Sequence, residues 1–219
     1  MTKIAVCQAW DQNYQQLADL TWTQNKKLYC DYWGYPYYVK TDGFNYVVSY
    51  EKIKLMLDIM NNHPEYDWLY WAGTDTIITN FYIKLESFID ENYHIVMSKD
   101  INNINADSFM IKNSKESRDF FTFIWSLVER YNDHNWWEQQ AMIDNMDKYG
   151  HLFKIVPQKT FNSYLYQLYW HHYHSSIDLT GNDGQWTPGD FLLHLPGMHV
   201  NQKIAIVRDF LGLVRHIIP

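Results

Sequence analysis

Short apolar runs that alternate with helical patterns constrain the fold of this chain more than any other feature of its sequence. The clearest run is DWLYWA at 67–72, whose nearly continuous apolar character is typical of a strand covered on both faces in a parallel sheet. Similar runs predict strands at 3–9, 36–40, 94–98, 107–112, 152–156 and 190–195. Periodic apolar positions predict helices at 15–32, 49–61, 115–131, 136–147 and 201–216. This alternation predicts an α/β fold with a mostly parallel central sheet flanked by helices.

The size of the chain and the continuity of its sequence predict one domain over residues 1–219. A chain of 219 residues can bury about 70% of the surface of its unfolded state, and the sequence contains no internal repeat or low-complexity linker. The two cysteines are too few for a disulfide framework or a Cys₄ zinc site. Cys7, in the apolar run IAVC, is predicted to lie in the core.

The N-terminal sequence predicts a cytoplasmic protein without a membrane span. MTKIAV lacks a basic segment followed by a long apolar stretch, so no signal peptide is predicted. The sequence also lacks a run of about 18 apolar residues that could form a transmembrane helix.

Charge and aromatic content narrow the classes of ligand. A formal net charge of −7 argues against general binding to nucleic acid, because such proteins gain most of their affinity by neutralising phosphates. Aromatic residues make up 18% of the chain. They can fill a core or form a surface that stacks on sugars and bases, and composition alone leaves both interpretations open.

Three polar clusters lie at predicted strand ends, where ligands bind in parallel α/β sheets. DQNY at 11–14 offers carboxylate, amide and aromatic groups for a nucleoside, or its asparagine could simply cap a helix. GTD at 73–75 offers a carboxylate that could hold Mg²⁺ or Mn²⁺ against a diphosphate, or could cap a turn. NAD at 105–107 precedes a predicted strand and could be an ordinary turn.

Four segments in this order resemble glycosyltransferase family 34. They are WLYWAGTDTIITN at 68–80, INADSFMIKNS at 104–114, WWEQQAM at 136–142 and GDFLLHLPGMH at 189–199. Asn25, Lys26 and Tyr29, followed by GY at 34–35, also resemble an N-terminal segment of that family, and DQNY is similar to the uridine-binding turn of retaining family 8. The resemblance implies a GT-A fold and retaining transfer of a hexose or pentose from a nucleotide-sugar, a UDP-sugar, to a glycan or other hydroxyl acceptor. It also implies that Mn²⁺ or Mg²⁺ assists departure of the nucleoside diphosphate.

The resemblance further implies roles for individual residues. Uridine contacts are implied for Asp11, Asn13 and Tyr14. Metal ligation is implied for Asp75 and His194. Contacts with the diphosphate are implied for Asp75, for the backbone at Gly197 and for Lys203 or His199. Contacts with the donor sugar are implied for Asn105, Ala106, Glu138 and Gln139. Glu138 is assigned to sugar binding and stabilisation of positive charge, because same-face attack is the favoured picture for the family.

Two residues depart from the family pattern within the predicted pocket. Gly73 stands at the first acidic position of the DxD motif, and Asp107 stands where the family has glycine. Asp107 could restore the lost charge, the metal could be held more weakly by Asp75 and His194, or activity or metal dependence could be lost. The last alternative corresponds to a degenerate GT-A protein that binds a nucleotide or sugar without turnover. The relatives' N-terminal anchor is missing before this domain, so a bacterial or viral enzyme is expected.

Four further features have more than one interpretation. Lys52 matches a lysine of the family but could simply be solvated. One tryptophan of the pair at 136–137 could form a platform for an acceptor sugar. PQKTFNSY at 157–164 is expected to be structural or to face the acceptor. The histidines of WHHYH at 170–174 could bind a transition metal, but the segment is expected to lie on the surface, either solvated or lining an acceptor groove.

Overall fold

The computed structural model describes residues 2–100, 102–165 and 184–214. The strands are β1 (Ile4–Ala9), β2 (Tyr37–Lys40), β3 (Trp68–Ala72), β4 (Thr76–Ile78), β5 (Ile95–Asp100), β6 (Asn103–Lys112), β7 (Phe153–Val156) and β8 (Leu192–His194). The α-helices are α1 (Gln15–Ala18), α2 (Lys27–Trp33), α3 (Val48–Asn62), α4 (Lys115–Ser126), α5 (Val128–Tyr131), α6 (Trp137–Ile143), α7 (Met146–Tyr149) and α8 (Val200–Val214). Within these ranges no helix is both long enough and apolar enough to cross a bilayer.

The central sheet has the order β2-β1-β3-β6-β5-β7. Strands β2, β1, β3, β5 and β7 share one direction, and β6 is antiparallel to both of its neighbours. The start of β6 therefore lies at the same edge as the carboxyl ends of β1, β3 and β5. A second sheet pairs β4 with β8 and aligns Thr76 with His194. The predicted α/β fold with a mostly parallel sheet is confirmed.

Several predicted elements differ in detail. Strand β6 begins at Asn103 rather than 107, because a tight hairpin pairs Asp100 directly with Asn103. The NAD segment at 105–107 is thus part of a strand, and its interpretation as a turn is wrong. The predicted helix at 15–32 is helical from Gln15 to Trp33, but residues Asp19–Lys26 form a π-helix. The helices predicted at 115–131 and 136–147 are each divided into two, and β4 was not predicted.

Both faces of β3, in the middle of the central sheet, are buried. Leu69 and Trp71 face α3 and α4 on one side, while Trp68 and Tyr70 pack with residues of α2 on the other. Most of the largest fully buried side chains are aromatic, so core packing accounts for much of the aromatic content. Cys7 is buried as predicted.

Helix α8 covers the small sheet. Its residues Ile204, Val207 and Leu211 pack against Ile77 of β4 and Leu193 of β8. This confirms the predicted apolar face over the residues whose side chains are described. By holding β8 against β4, the helix also fixes His194 beside the end of β3.

Candidate functional site

A cleft of about 720 Å³ opens where the carboxyl ends of β1 and β3 meet the start of β6. Of the predicted site residues, those that line it are Asp11, Tyr14, Asp75, Asn105, Ala106, Asp107, Glu138, Gln139, His194, Gly197 and Lys203, and His199, the alternative to Lys203, does not. Asn13 does not line the cleft and instead donates its backbone N–H to Asp11 Oδ1 at 2.9 Å. The structure thus brings together residues that are up to 192 positions apart in sequence, from Asp11 to Lys203.

The turn after β1 presents an aromatic ring to the cleft. Asp11 caps the short 3₁₀ helix Gln12–Tyr14, so the prediction that Asn13 acts as the cap is wrong. The ring of Tyr14 is 37% exposed, and Lys203 Nζ lies 5.8 Å from its centroid. This leaves a ring face available for stacking beside a cationic group.

The segment Gly73–Asp75 is held by hydrogen bonds to each of its three carbonyl groups. Gly73 O accepts from the buried Lys26 Nζ at 2.5 Å, and Thr74 O accepts from Thr21 Oγ1 at 2.7 Å. Asp75 O accepts from the backbone N–H of Leu195 at 3.0 Å. Lys26 and Thr21 both belong to the π-helical stretch, which is a feature frequently found at functional sites. The carboxylate of Asp75 is therefore presented from a rigid support.

Asp75, Asp107 and His194 form what we call the Asp–Asp–His cluster. One potential ligand atom from each lies within 4.8 Å of the others. His194 Nε2 is 2.8 Å from Asp107 Oδ2 and 3.5 Å from Asp75 Oδ1. Lys203 also forms an ion pair with the other oxygen of Asp75.

The charges in this cluster shift each other's pKa values. Burial alone would raise the pKa of Asp75, but Lys203 and His194 hold that pKa well below its usual range. Burial alone would lower the pKa of His194, but the carboxylates of Asp75 and Asp107 outweigh it and raise that pKa to about 9. At neutral pH the two carboxylates are thus balanced by an imidazolium and an ammonium group.

The orientation of the His194 ring is fixed by a buried hydrogen-bond chain. Asn162 Nδ2 donates to Asp100 Oδ2 at 3.0 Å, which directs Asn162 Oδ1 toward His194 Nδ1 at 2.5 Å. Tyr164 also donates its hydroxyl to the same oxygen of Asp100. Because Asn162 Oδ1 can only accept, Nδ1 carries a proton and Nε2 faces the two carboxylates. This is the arrangement that a metal-ligating histidine requires.

Helix α6 is joined to β6 through Ala106. Gln139 Oε1 accepts from Ala106 N at 3.0 Å, and Lys52 Nζ donates to Ala106 O at 2.6 Å. The same ammonium lies 2.7 Å from Glu138 Oε1, and both charged side chains are less than 5% exposed. Glu138 Oε2 is buried without a hydrogen-bond partner, and burial raises the pKa of this carboxyl although Lys52 opposes the shift. Glu138 also lines the cleft, so this unpartnered oxygen belongs to a residue of the cleft wall.

Two tryptophans form the rim of the cleft next to Glu138. Trp136 and Trp137 are 41% and 37% exposed, and both line the cleft. Trp137 has φ +38°, a conformation that is costly for a bulky residue and is typically retained at functional sites.

Sequence reasoning missed or undervalued several residues of this site. Lys52 is 3% exposed, so its interpretation as a solvated residue is wrong. Lys26 and Asn162 are fully buried and contact the Gly73 carbonyl and His194. The spacing of Lys52 with Met56 and Ile59 places it on the buried stripe of α3, and this could have revealed it. The histidines of WHHYH lie outside the described residues, as does 175–183 of the polar segment predicted as a loop.

Comparison with curated proteins finds relatives in yeasts. The chain is 20% identical to an alpha-1,2-galactosyltransferase of Schizosaccharomyces pombe, over 80% of this chain and 54% of that protein. It is 22% identical to the probable alpha-1,6-mannosyltransferase MNN10 of Saccharomyces cerevisiae, over 64% of this chain and 46% of that protein. The chain therefore spans about half the length of these curated relatives.

Solved glycosyltransferases share the fold at low sequence identity. A glycosyltransferase involved in glycosylation of the major capsid of PBCV-1 matches with a TM-score of 0.73 and 14% identity, over 94% of this chain and 99% of that chain. The galactosyltransferase LgtC, solved with donor and acceptor sugar analogs, matches with a TM-score of 0.60 and 15% identity, over 98% and 97%. These likenesses confirm the predicted GT-A fold.

The family model of the galactosyl transferase GMA12/MNN10 family matches residues 4–92 and 88–205. The matched ranges include β1, the Gly73–Asp75 segment, β6, α6 and β8, which are the elements that build the cleft. The chain therefore belongs to glycosyltransferase family 34, the GMA12/MNN10 family of galactosyl transferases.

Proposed function

We propose that this protein is a retaining glycosyltransferase that moves a hexose or pentose from a UDP-sugar to a hydroxyl group of a glycan or other acceptor. We propose further that residues 1–219 act as one GT-A domain. The observation that supports this most directly is the cleft, which the Asp–Asp–His cluster, Glu138 and Tyr14 all line. Its volume of about 720 Å³ is within the range of small-molecule sites.

The charged and aromatic groups of the cleft suggest one orientation for the donor. The uracil and ribose would lie beside Asp11 and Tyr14, where an acceptor group and an aromatic face are available. The diphosphate would lie at Lys203 and the turn of Gly197, whose φ of +68° is readily adopted by glycine. The sugar would then reach Asn105, Ala106 and the start of α6.

The Asp–Asp–His cluster fits a divalent cation such as Mn²⁺ or Mg²⁺. Two carboxylates and one imidazole offer three ligand atoms within 4.8 Å, and a buried amide already orients the imidazole. A bound cation would stabilise the charge that develops on the departing diphosphate. Asp75, Asp107 and His194 would hold it, and Lys203 would release Asp75 to contact a phosphate.

Glu138 would stabilise the positive charge that develops at the anomeric carbon. Lys52 holds one of its oxygens, and the other is buried without a hydrogen-bond partner in a residue that lines the cleft. Electrostatic stabilisation by a pre-positioned group of this kind contributes strongly to catalysis. Replacement by glutamine should lower kcat by about 10²-fold or more while nucleotide affinity is retained.

Calorimetric titration with UDP, GDP, CDP and ADP, each with and without Mn²⁺, tests the proposal. We expect selective binding of UDP that strengthens with Mn²⁺, together with slow hydrolysis of a UDP-sugar. Binding of UDP without any turnover would instead favour the degenerate GT-A protein. Failure to bind any nucleotide would refute the proposed function.

A further inference from the structure

Gly73 has no room for a side chain, because the carboxyl and the backbone carbonyl of Asp107 together fill the space. A Cβ atom on Gly73 would lie 2.5 Å from both Cγ and Oδ2 of Asp107, and 2.7 Å from its carbonyl oxygen. The backbone at Gly73 does not itself call for glycine, because its φ is not among the positive values found at Gly34, Gly43, Gly189 and Gly197. Steric contact with Asp107, and not the backbone conformation, therefore excludes a side chain at position 73.

The register of β3 and β6 explains why these two positions compete. Ala72 of β3 pairs with Ser108 of β6 in the antiparallel ladder. Gly73, which follows Ala72, therefore lies opposite Asp107, which precedes Ser108. Gly73 N donates to Asp107 O at 2.7 Å, which continues the pairing past the end of β3. Side chains at directly opposed positions share one face of the sheet and the same volume.

The carboxylate of Asp107 lies directly against the nitrogen of His194 that would bind the metal. Its Oδ2 lies 2.8 Å from His194 Nε2, closer than the 3.5 Å between that nitrogen and Asp75 Oδ1. The side chain is 32% exposed and therefore accessible from the cleft. Since Asn162 holds the other nitrogen of His194, the imidazole cannot turn away from Asp107 without losing that hydrogen bond.

We propose that Asp107 is a metal ligand that replaces the first carboxylate of the DxD motif. Asp107 supplies this carboxylate from β6, whereas the motif supplies it from position 73. Gly73 leaves the space that the Asp107 side chain occupies. This rests on the proposed metal-assisted function. Of the alternatives left open by the sequence, it selects compensation by Asp107. The proposal also predicts that an aspartate at either position 73 or position 107, with glycine at the other, can supply the ligand. Aspartates at both positions at once should not fit.

Four variants of the full chain test the exchange: Asp107→Gly, Asp107→Asn, Gly73→Asp and the double variant Gly73→Asp/Asp107→Gly. Mn²⁺ binding is measured by calorimetry and by the loss of the free Mn²⁺ electron paramagnetic resonance signal. Asp58→Asn, which removes one exposed acidic charge from α3 outside the cleft, is the matched control. UDP binding in EDTA is measured on the same samples, because it reports on the nucleotide site without the metal.

We expect Asp107→Gly and Asp107→Asn each to weaken Mn²⁺ binding by about tenfold or more, the lower end of what even outer-shell changes cause at metal sites. Gly73→Asp should lower the melting temperature, since two side chains then claim one volume. The double variant removes the carboxyl but leaves the backbone carbonyl of position 107 at 2.7 Å from the new Cβ, so the backbone must shift there. It should therefore recover part of the lost Mn²⁺ affinity, and Asp58→Asn should match the wild type.

Wild-type Mn²⁺ affinity in the two Asp107 variants would overturn the proposal, because Asp107 would then not be a ligand. A folded double variant that binds Mn²⁺ no better than Asp107→Gly would also overturn it, because position 73 would not be equivalent. Wild-type protein that binds UDP in EDTA but never binds Mn²⁺ would overturn the exchange and leave a nucleotide site intact. Wild-type protein that binds neither Mn²⁺ nor UDP would refute the proposed function itself.

Discussion

Replacing Lys52 with methionine should destabilise the protein strongly, because the change leaves the buried carboxylate of Glu138 without its counter-ion. Lys52 Nζ is 2.7 Å from Glu138 Oε1, and the other oxygen of Glu138 has no partner to take over. Removing one member of a buried ion pair typically costs about 3–5 kcal/mol. For a chain of this size each 1 kcal/mol lowers the melting temperature by about 2–4 °C, so we expect a decrease of about 6–20 °C.

The pH dependence of this loss identifies its cause. Burial raises the folded-state pKa of Glu138, and removing Lys52 should raise it further. Between the unfolded pKa of about 4.5 and the raised folded pKa, Glu138 is protonated in the folded variant and ionised in the unfolded chain. The stability of the variant therefore falls as pH rises through this range. Urea denaturation at pH 5 and pH 8 should therefore show a smaller loss at pH 5.

Two companion variants complete the test of the ion pair. Lys54→Met removes an exposed lysine from the same helix and should change stability by no more than about 0.5 kcal/mol. Lys52→Met/Glu138→Gln removes both charges and should be more stable than Lys52→Met alone. If Lys52→Met unfolds at the same urea concentration as Lys54→Met, the pair does not contribute as argued.

Three further outcomes are expected at the cleft. Neighbouring carboxylates raise the pKa of His194 to about 9, so Mn²⁺ must displace a proton, and its affinity should rise about tenfold per pH unit from pH 6 to 8. Calorimetry in buffers of different ionisation enthalpy measures how many protons are released. An affinity that does not change with pH would contradict the role of His194 as a metal ligand. Asn162→Leu should weaken Mn²⁺ binding about 10- to 100-fold, because His194 Nδ1 loses its acceptor; unchanged affinity would show that the ring needs no such support. Trp136→Ala should raise the KM for the acceptor and leave UDP-sugar hydrolysis unchanged, and equal effects on both reactions would place the ring on the donor side.

The order of elements could be predicted from the sequence because each short strand is apolar and each helix has a periodic stripe. The run at 67–72 became the central strand β3, as its two buried faces required. The antiparallel direction of β6 could not be predicted, since an apolar strand does not reveal its direction. That direction nevertheless decides the site, because it places Asp107 rather than the far end of β6 beside Asp75.

The residues of the cleft were predictable from motif resemblance, but the contacts made by the lysines that support them were not. Lys26 and Lys52 both occupy buried helix faces, where lysine is rare unless it is paired. Each donates to a backbone carbonyl of the site, at Gly73 and Ala106. Such contacts join positions 47 and 54 residues apart and depend on the tertiary fold, so local patterns contain little information about them.

The charge balance of the cleft gives a physical reason for metal assistance in an acidic protein. Among the described residues that line it, the acidic ones are Asp11, Asp75, Asp100, Asp107 and Glu138, against two lysines and one histidine. Lys52 is already neutralised by Glu138, and Lys203 is paired with Asp75. The lining therefore carries more negative than positive charge, so a diphosphate should bind more weakly until a divalent cation occupies the Asp–Asp–His cluster and frees Lys203. Cation and nucleotide should therefore strengthen each other's binding by the same factor, and equal UDP affinity with and without Mn²⁺ would contradict this electrostatic argument.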